Sequence, residues 1–174
     1  MMRAARYRLW QFWGLISRPI APEDLAEVRG VLTPKLFAVF GRLNPAEQYH
    51  AFQVRRALVA RGWAQPDLLT AALLHDAGKS NLPLAIWEKT AIVLGGRLAP
   101  RAAAAWGSRL DHVTWWTRPF VNARHHPAWG AELAAAAGAS PLAVELIRRH
   151  QDKVTPDDPL YDLLSALQSA DNSN

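Results

Sequence analysis

Histidines and aspartates are the residues through which this chain could do chemistry, because its 174 residues include six histidines and no cysteine. The absence of cysteine excludes disulfides, zinc–thiolate fingers, iron–sulfur clusters and cysteine nucleophiles. Any transition metal would therefore be held by imidazole and carboxylate groups. Apart from His112, the histidines lie on or beside predicted helices together with two aspartates, in the order His50, His75, Asp76, His125, His126, His150 and Asp171.

The adjacent pair His75 and Asp76 stands near the C-terminal end of a segment that is apolar nearly all round. Burying two such polar groups without partners is unfavourable. One or two divalent cations, shared with ligands from other helices, would remove that cost. Neutral imidazole with ionised carboxylate suits Mn, Fe, Co, Ni, Zn or Mg better than Ca. The alternative is structural, since a His-Asp pair can also cap one helix or bridge two.

Helical patterns dominate and strand alternation is nearly absent, which predicts an all-α fold with one core and six or more helices. Asn44–Pro45, Ser140–Pro141 and Asp158–Pro159 each place a capping residue before a first-turn proline. We expect the apolar helix over 66–78 to be central and buried. Gly95–Gly96 should end one helix, and residues 97–124 fit no clear pattern. The other predicted helices cover 22–28, 45–61, 83–94, 127–137, 141–150 and 159–170.

The net charge of +5 has its excess at the start of the chain, where residues 1–18 contain four arginines, several aromatic residues and no acid. One interpretation is an arm that makes weak contact with a membrane surface or nucleic acid. The other is a first helix packed on the domain. No signal peptide, membrane span or motif for specific nucleic-acid recognition is evident, so the expected location is the cytoplasm.

Eight tryptophans are a high number for this length, and four of them fall near the pattern-free region: Trp106, Trp115, Trp116 and Trp129. They could stack on a nucleobase while Arg118 and Arg124 steer a phosphate. Alternatively, they fill a core in which alanines leave space for bulky partners. Trp129 follows His126 by three residues, which places it near the candidate site under both interpretations.

The full ordered set of histidines and aspartates resembles that of the HD-domain metal-dependent phosphohydrolase superfamily, over about residues 45–171. The segment ALLHDAGKS at 72–80 is similar to the His-Asp-x-Gly-Lys form of that family. The segment HHPAWGAEL at 125–133 is similar to the histidine-proline-glycine helix start of its HD-GYP-like branch. The resemblance implies a single-domain helical bundle of the HD type over 31–174, preceded by the basic arm and a short helix over 1–30.

Residue roles follow from this resemblance. The residues that match the ligands of the primary metal are His50, His75, Asp76 and Asp171. His126 and His150 match the pair that completes a second metal site, and Asp76 can bridge the two ions. Lys79 matches the lysine that faces the substrate phosphate, with Gly78 allowing the backbone to turn towards the site. The expected catalytic residues are Asp76 and Lys79, and the expected substrate contacts are Lys79, Arg124, His125 and Trp129.

The resemblance implies a phosphodiesterase or phosphomonoesterase that acts on a nucleotide-like or other phosphorylated small molecule through a metal-activated water. The branch that cleaves cyclic dinucleotides has a further histidine and an acid at the His150 position and a Gly-Tyr-Pro motif soon after. This chain has Gln151, Asp152 and Lys153 there and no such tripeptide. The difference leaves the number of metals open. It also supports an alternative, a non-catalytic HD module that binds a nucleotide or a partner protein in signalling.

Overall fold

The computed structural model describes residues 19–173, apart from the side chains of Ile86 and Lys89. Within that range it contains nine α-helices, one 3₁₀ segment and no strand, which confirms the predicted all-α bundle. The two interpretations of the arm at 1–18 lie outside the described residues. No helix in the described range is long and apolar enough to cross a membrane.

The helices follow one another with short connections. In chain order they are α1 (Pro22–Val31), α2 (Pro34–Phe40), α3 (Pro45–Ala60), α4 (Pro66–Leu74), α5 (Ile86–Leu98), α6 (Pro100–Gly107), α7 (Arg118–Ala136), α8 (Pro141–Arg149) and α9 (Tyr161–Asn172). The 3₁₀ segment, Ala77–Asn81, lies between α4 and α5.

The helix starts that carried a cap and a proline are confirmed for α3 and α8. The Asn44 side chain accepts a hydrogen bond from the Glu47 N–H at 3.0 Å, and the Ser140 hydroxyl accepts one from the Ala143 N–H at 3.0 Å. Each bond satisfies a backbone donor that has no partner inside its helix. Thr33 caps α2 in the same way, a helix that the sequence prediction had missed.

The main core is formed by residues from both ends of the chain and surrounds α4. Leu68, Leu73 and Leu74 of that helix are fully buried, as predicted for the central helix. Val28 of α1 is also fully buried in this core, so the boundary expected at residue 30 falls inside a packed helix. Within the described part of the chain, no residue between Ala77 and Ala131 belongs to the main core.

Two helix boundaries were predicted wrongly because a local helix breaker was given too much weight. Pro127 was expected to start a helix, yet it lies inside α7, which begins at Arg118. A proline inside a helix removes one N–H, here the donor that would pair with the Ala123 carbonyl, but it does not end a helix held by neighbours on several sides. Gly95 was expected to end α5, yet it packs against the Phe120 ring of α7 inside a continuous helix.

The last helix begins at Tyr161, later than the predicted start at Pro159. The Asp158 side chain accepts from the Leu160 N–H at 2.9 Å and from the Arg149 guanidinium. Asp158 therefore stabilises the connection between α8 and α9 through these two hydrogen bonds and does not cap α9 directly.

Candidate metal centre

Six polar side chains from five helices meet at one place beside α4. His75 is the C-cap of α4 and Asp76 follows it, while His150 is the C-cap of α8. The other members are carried by helix bodies: His50 by α3, His126 by α7 and Asp171 by the last turn of α9. His75, Asp76, His126 and His150 are buried, whereas the side chains of His50 and Asp171 are each 29% exposed.

A glycine contact sets the position of Asp76 relative to α7. A Cβ atom on Gly78 would lie 2.0 Å from the His126 carbonyl oxygen and 2.6 Å from the Gly130 nitrogen. Only glycine allows the 3₁₀ segment to touch the α7 backbone this closely. The predicted reason for Gly78, a turn that needs its conformational freedom, is wrong, since the positive-φ glycines among the described residues are Gly62 and Gly138.

The tautomers of the three buried histidines are set by backbone carbonyls. The Nδ1 atoms of His75, His126 and His150 lie 2.9, 3.0 and 2.7 Å from the carbonyl oxygens of residues 72, 122 and 147. A carbonyl oxygen can only accept, so each Nδ1 carries the proton and donates it. Each Nε2 of the neutral imidazoles is therefore left with a lone pair that points into the centre, as in metal-binding histidines.

Together with His50 and the two aspartates, these histidines form two groups of side chains that could each hold a metal ion. One consists of His50, His75 and Asp171, and the other of Asp76, His126 and His150. Within each group the candidate ligand atoms lie within 4.8 Å of one another. The Nε2 atoms of His126 and His150 are 3.3 Å apart, and two lone pairs at that distance repel unless a proton or a cation lies between them.

The Asp76 carboxylate lies between the two groups. One oxygen is 3.5 Å from the His75 Nε2 and the other is 3.4 Å from the His126 Nε2. The His75 Nε2 is buried and has no hydrogen-bond partner, which is costly unless a cation uses its lone pair. The donor chemistry thus suits divalent cations of borderline softness, and the Asp76 carboxylate is close to a histidine of each group.

The carboxylates are held in their ionised form. Burial alone would raise the pKa of Asp76, but the Lys79 ammonium and the neighbouring His75 and His126 lower it well below its ordinary value. Lys79 donates a hydrogen bond to Asp76, and this carboxylate raises the pKa of Lys79 against the opposing effect of burial. The positive charge of Lys79 therefore stabilises the ionised form of Asp76 within the site.

The pKa values of His75 and His150 are shifted in opposite directions. Burial lowers the pKa of His150 to about 3, with the nearby His75 acting in the same direction. Burial would also lower the pKa of His75, but the Asp76 and Asp171 carboxylates raise it above its ordinary value. Burial alone would raise the pKa of Asp171, but the hydrogen bond with His50 and the nearby His75 imidazole lower it below its ordinary value. His150 is thus a neutral ligand, whereas a proton competes with any cation for the His75 Nε2.

A small cavity, called here the inner cavity, opens beside His126 and has a volume of about 230 Å³. Its apolar wall is formed by Leu84, Ile92 and Ala123. The polar residues that line it are Glu47, Lys79, Asn122, His126 and Gln151. Asn122 precedes His126 by one helical turn and donates to the Leu82 carbonyl at 2.7 Å, so it links α7 to the connection that carries Leu84.

A larger and more polar depression, called here the outer groove, has a volume of about 770 Å³. Two metal-ligand candidates, His150 and Asp171, form part of its wall. Further along it are Lys153, Thr155, Gln168 and Asn172. Gln151 lines both the inner cavity and the outer groove, so the two spaces adjoin at this residue.

Three predicted substrate contacts are placed elsewhere by the structure. The His125 Nε2 lies 2.9 Å from the Gly107 carbonyl, and its ring stacks on Trp129 with centroids 5.7 Å apart. Arg124 is exposed. None of the three lines the inner cavity or the outer groove. On a helix, residues one or two positions from His126 face other directions, and Trp129, three positions on, packs on His125. Asn122, four positions before His126, shares its face and was missed.

The tryptophans form a local cluster instead of a wall of either space. Trp106 packs against Trp116 and Phe120 with centroids 5.4 and 5.1 Å apart. Trp115 contacts Trp87 at 6.2 Å but is 73% exposed. These rings therefore neither stack beside the metal centre nor fill the main core.

Comparison with protein-family models, with curated proteins and with solved structures finds no match for this chain. The class that the structure itself supports is an all-α protein with a buried His/Asp centre that could hold a metal ion.

Proposed function

We propose that this chain is a metal-dependent phosphohydrolase of the HD type. The observation that supports it most directly is the set of buried Nε2 lone pairs of His75, His126 and His150 that converge around the Asp76 carboxylate. The order of these residues along the chain, which resembles that of the HD superfamily, supports the same activity.

The metal ligands and Lys79 have separate tasks in the proposed hydrolysis. One or two divalent cations, when bound, would polarise phosphoryl oxygens and lower the pKa of water. Lys79 keeps Asp76 ionised and places positive charge on the wall of the inner cavity, where it can balance charge that develops on the phosphoryl group. Hydrolysis forms a bond from the water oxygen to phosphorus and breaks the P–O ester bond, and the leaving alcohol takes up a proton.

The decisive experiment joins elemental analysis of protein prepared without added metal to a panel of phosphoester substrates. We expect about one or two transition ions per chain and metal-dependent release of alcohol. His75→Ala should lose metal and reduce hydrolysis on the order of a hundredfold or more. Asp171→Asn keeps the shape of a half-exposed side chain and should show the same loss in a protein that remains folded.

His112→Ala is the matched control, because this histidine is exposed and lies in the connection between α6 and α7. It should retain both metal and activity. A wild-type protein that binds no divalent metal under any loading condition would refute the proposal.

The alternative, a non-catalytic module that binds a nucleotide or a partner, is supported by one observation. The Gln151 amide lies 3.3 Å from the His126 Nε2, and glutamine is a poor metal ligand where the HD-GYP branch has histidine. Bound metal without turnover of any phosphoester, combined with nucleotide-dependent thermal stabilisation, would favour this alternative over hydrolysis.

A further inference from the structure

We propose that the α5–α6 hairpin with its following loop, residues 86–117, docks on a membrane surface that carries anionic headgroups. This inference is independent of the proposed hydrolysis. A continuous apolar patch left open on a folded protein marks an interaction site. All the described large hydrophobic residues that are more than half exposed lie in this region: Trp87, Val93, Leu94, Leu98, Leu110 and Trp115.

Four of these side chains form one stripe, called here the apolar stripe. Trp87, Leu94 and Leu98 lie on the same side of α5, because steps of seven and four residues return to one face of a helix. At 1.5 Å per residue, they extend over about 16 Å. Trp115 of the loop continues the stripe beyond the start of α5, since its ring centroid is 6.2 Å from that of Trp87.

The stripe is not the face by which α5 packs on the rest of the chain. Ile92 lines the inner cavity, and Gly95 lies against the Phe120 ring of α7. Glu88, the acid of α5, is 3% exposed and accepts a hydrogen bond from the Ala85 N–H at 2.6 Å. The acid of this helix is therefore turned inward, while its large apolar side chains are turned outward.

The exposed charges of the region suit an anionic surface. Arg97, Arg101 and Arg109 are exposed and have no ion-pair partner among the described residues. Asp111 is the exposed acid of the region. Arg97 follows Leu94 by three residues, so the two side chains are neighbours on the helix surface. Such an arginine can lay its stem along acyl chains and keep its charge among the headgroup phosphates.

A bilayer fits this combination better than a second copy of the chain or a nucleic acid does. A symmetric dimer would place the same patch against itself and bring the unpaired arginines of the two copies together. Nucleobases stack on aromatic rings, which leaves the aliphatic side chains Leu94 and Leu98 without a use. Acyl chains match the leucines, anionic headgroups match the arginines, and tryptophan is enriched at the boundary between the two.

Co-sedimentation of the 174-residue chain with vesicles tests the proposal. The probes are vesicles of phosphatidylcholine alone and of phosphatidylcholine and phosphatidylglycerol in equal parts. We expect binding to the anionic vesicles that weakens as salt is raised, with little binding to the neutral ones. The double variant Leu94→Gln with Leu98→Gln should lower the partition coefficient by about tenfold or more. Arg97→Gln should lower it about fivefold.

Two substitutions in helices that carry main-core residues are the matched controls. Val59→Gln changes a residue of α3 that is 47% exposed, and Arg148→Gln changes an exposed arginine of α8. Both should leave vesicle binding unchanged. Lipids brominated in their acyl chains report insertion, because bromine quenches nearby tryptophans. Quenching should fall in the double variant Trp87→Phe with Trp115→Phe.

Each contrary result overturns the proposal. Vesicle binding and quenching that these hairpin variants leave unchanged would assign the membrane contact to another part of the chain, such as residues 1–18. Absence of binding to anionic vesicles by the wild type would exclude a lipid surface. In that case, self-association lost in the Leu94→Gln, Leu98→Gln variant would identify a second copy as the occupant, and retention of a single-stranded oligonucleotide lost in Arg97→Gln would identify a nucleic acid.

Discussion

The metal-site half of the molecule and the α5–α6 hairpin with its following loop, residues 86–117, are packed in opposite ways. The metal-site half comprises α1–α4, the 3₁₀ segment, the C-terminal part of α7, α8 and α9 with the connections between them, and all residues of the main core come from it. In the hairpin region the large apolar side chains are largely exposed, with Leu98 at 80% and Trp115 at 73%. The metal-site half, called here the frame, is thus well packed, whereas the hairpin region is largely exposed.

The two regions contribute different parts of the site: the metal-site half supplies the candidate ligands, and the hairpin region supplies part of a cavity wall. Candidate metal ligands need fixed backbone positions, because small displacements change coordination, and they all come from the frame or from its border at His126. The hairpin contributes Ile92 to the wall of the inner cavity and no candidate metal ligand. Changes in the frame should therefore alter metal binding and stability, whereas changes in the hairpin should leave the bound metal unchanged.

The largest effect is expected where the frame is tightest, at Gly78. In Gly78→Ala the added methyl group would lie 2.0 Å from the His126 carbonyl oxygen and 2.6 Å from the Gly130 nitrogen, and these backbone atoms cannot rotate away. The 3₁₀ segment and α7 must separate, which should cost roughly 3 to 4 kcal/mol of unfolding free energy. Urea denaturation measures this loss, and elemental analysis should show loss of bound metal.

Gly30→Ala provides the control for this substitution, because nothing lies within 4 Å of its Cβ position on α1. It should leave stability unchanged or raise it by up to about 1 kcal/mol through its lower unfolded-state entropy. Equal losses in the two variants would show that the close contact at Gly78 does not hold the centre together.

The sequence predicted most of the frame and the six ligand candidates, since those rest on strong local patterns. Asn44 and Ser140 cap their helices through hydrogen bonds that the residue types alone suggest. The His75-Asp76 pair after an apolar helix indicated a buried polar centre before any geometry was known. The division into two groups followed from the resemblance alone, because which oxygen of Asp76 faces which imidazole is a tertiary relation that no sequence spacing contains.

The hairpin region and the substrate contacts were predicted poorly for physical reasons. Gly95 and Pro127 are breakers in isolation, but contacts with neighbouring helices keep both inside continuous helices. Asn122 was missed as part of the cavity wall because it shares a face of α7 with His126 from one helical turn away. Gln151 was missed because it meets His126 through a contact between distant segments of the chain. Arg124 and Trp129, near in sequence, face other directions.

Metal binding should change the unfolding free energy of the frame by less than Gly78→Ala does. A cation at about a hundred times its Kd should stabilise the folded chain by about 2.7 kcal/mol. Since a proton competes with the cation for the His75 Nε2 and its pKa is raised above 6.5, affinity should fall as the pH is lowered, and the fall should begin above pH 6.5. Calorimetry with Zn²⁺ or Mn²⁺ in buffers of different ionisation enthalpy measures the released proton. A pH-independent affinity between about pH 6 and 8 would contradict this assignment.

Substitution of the neighbouring glycines Gly95 and Gly96 of α5 compares a closely packed position with an open one within the hairpin. In Gly95→Ala the new methyl would lie 2.5 Å from the Phe120 ring, a side chain that can shift, so we expect a loss of about 1 kcal/mol. Gly96→Ala meets nothing within 4 Å and should gain about 0.5 to 1 kcal/mol as a helix-interior substitution. Thermal unfolding of the two variants checks the sign, and bound metal should stay the same in both. Loss of metal in Gly95→Ala would mean that the hairpin helps to hold the centre.

The smallest effect is expected on the exposed face of the hairpin, and a pair of leucines measures it. Leu98→Ala removes a side chain that is 80% exposed, so the unfolding free energy should change by no more than about 0.5 kcal/mol. Leu73→Ala makes the same chemical change at a fully buried position and should cost about 2 to 5 kcal/mol. A loss above about 1 kcal/mol at Leu98, together with a concentration-dependent melting temperature, would mean that a second copy covers this face in solution. The contrast between a packed frame and an open hairpin would then hold only for the single chain.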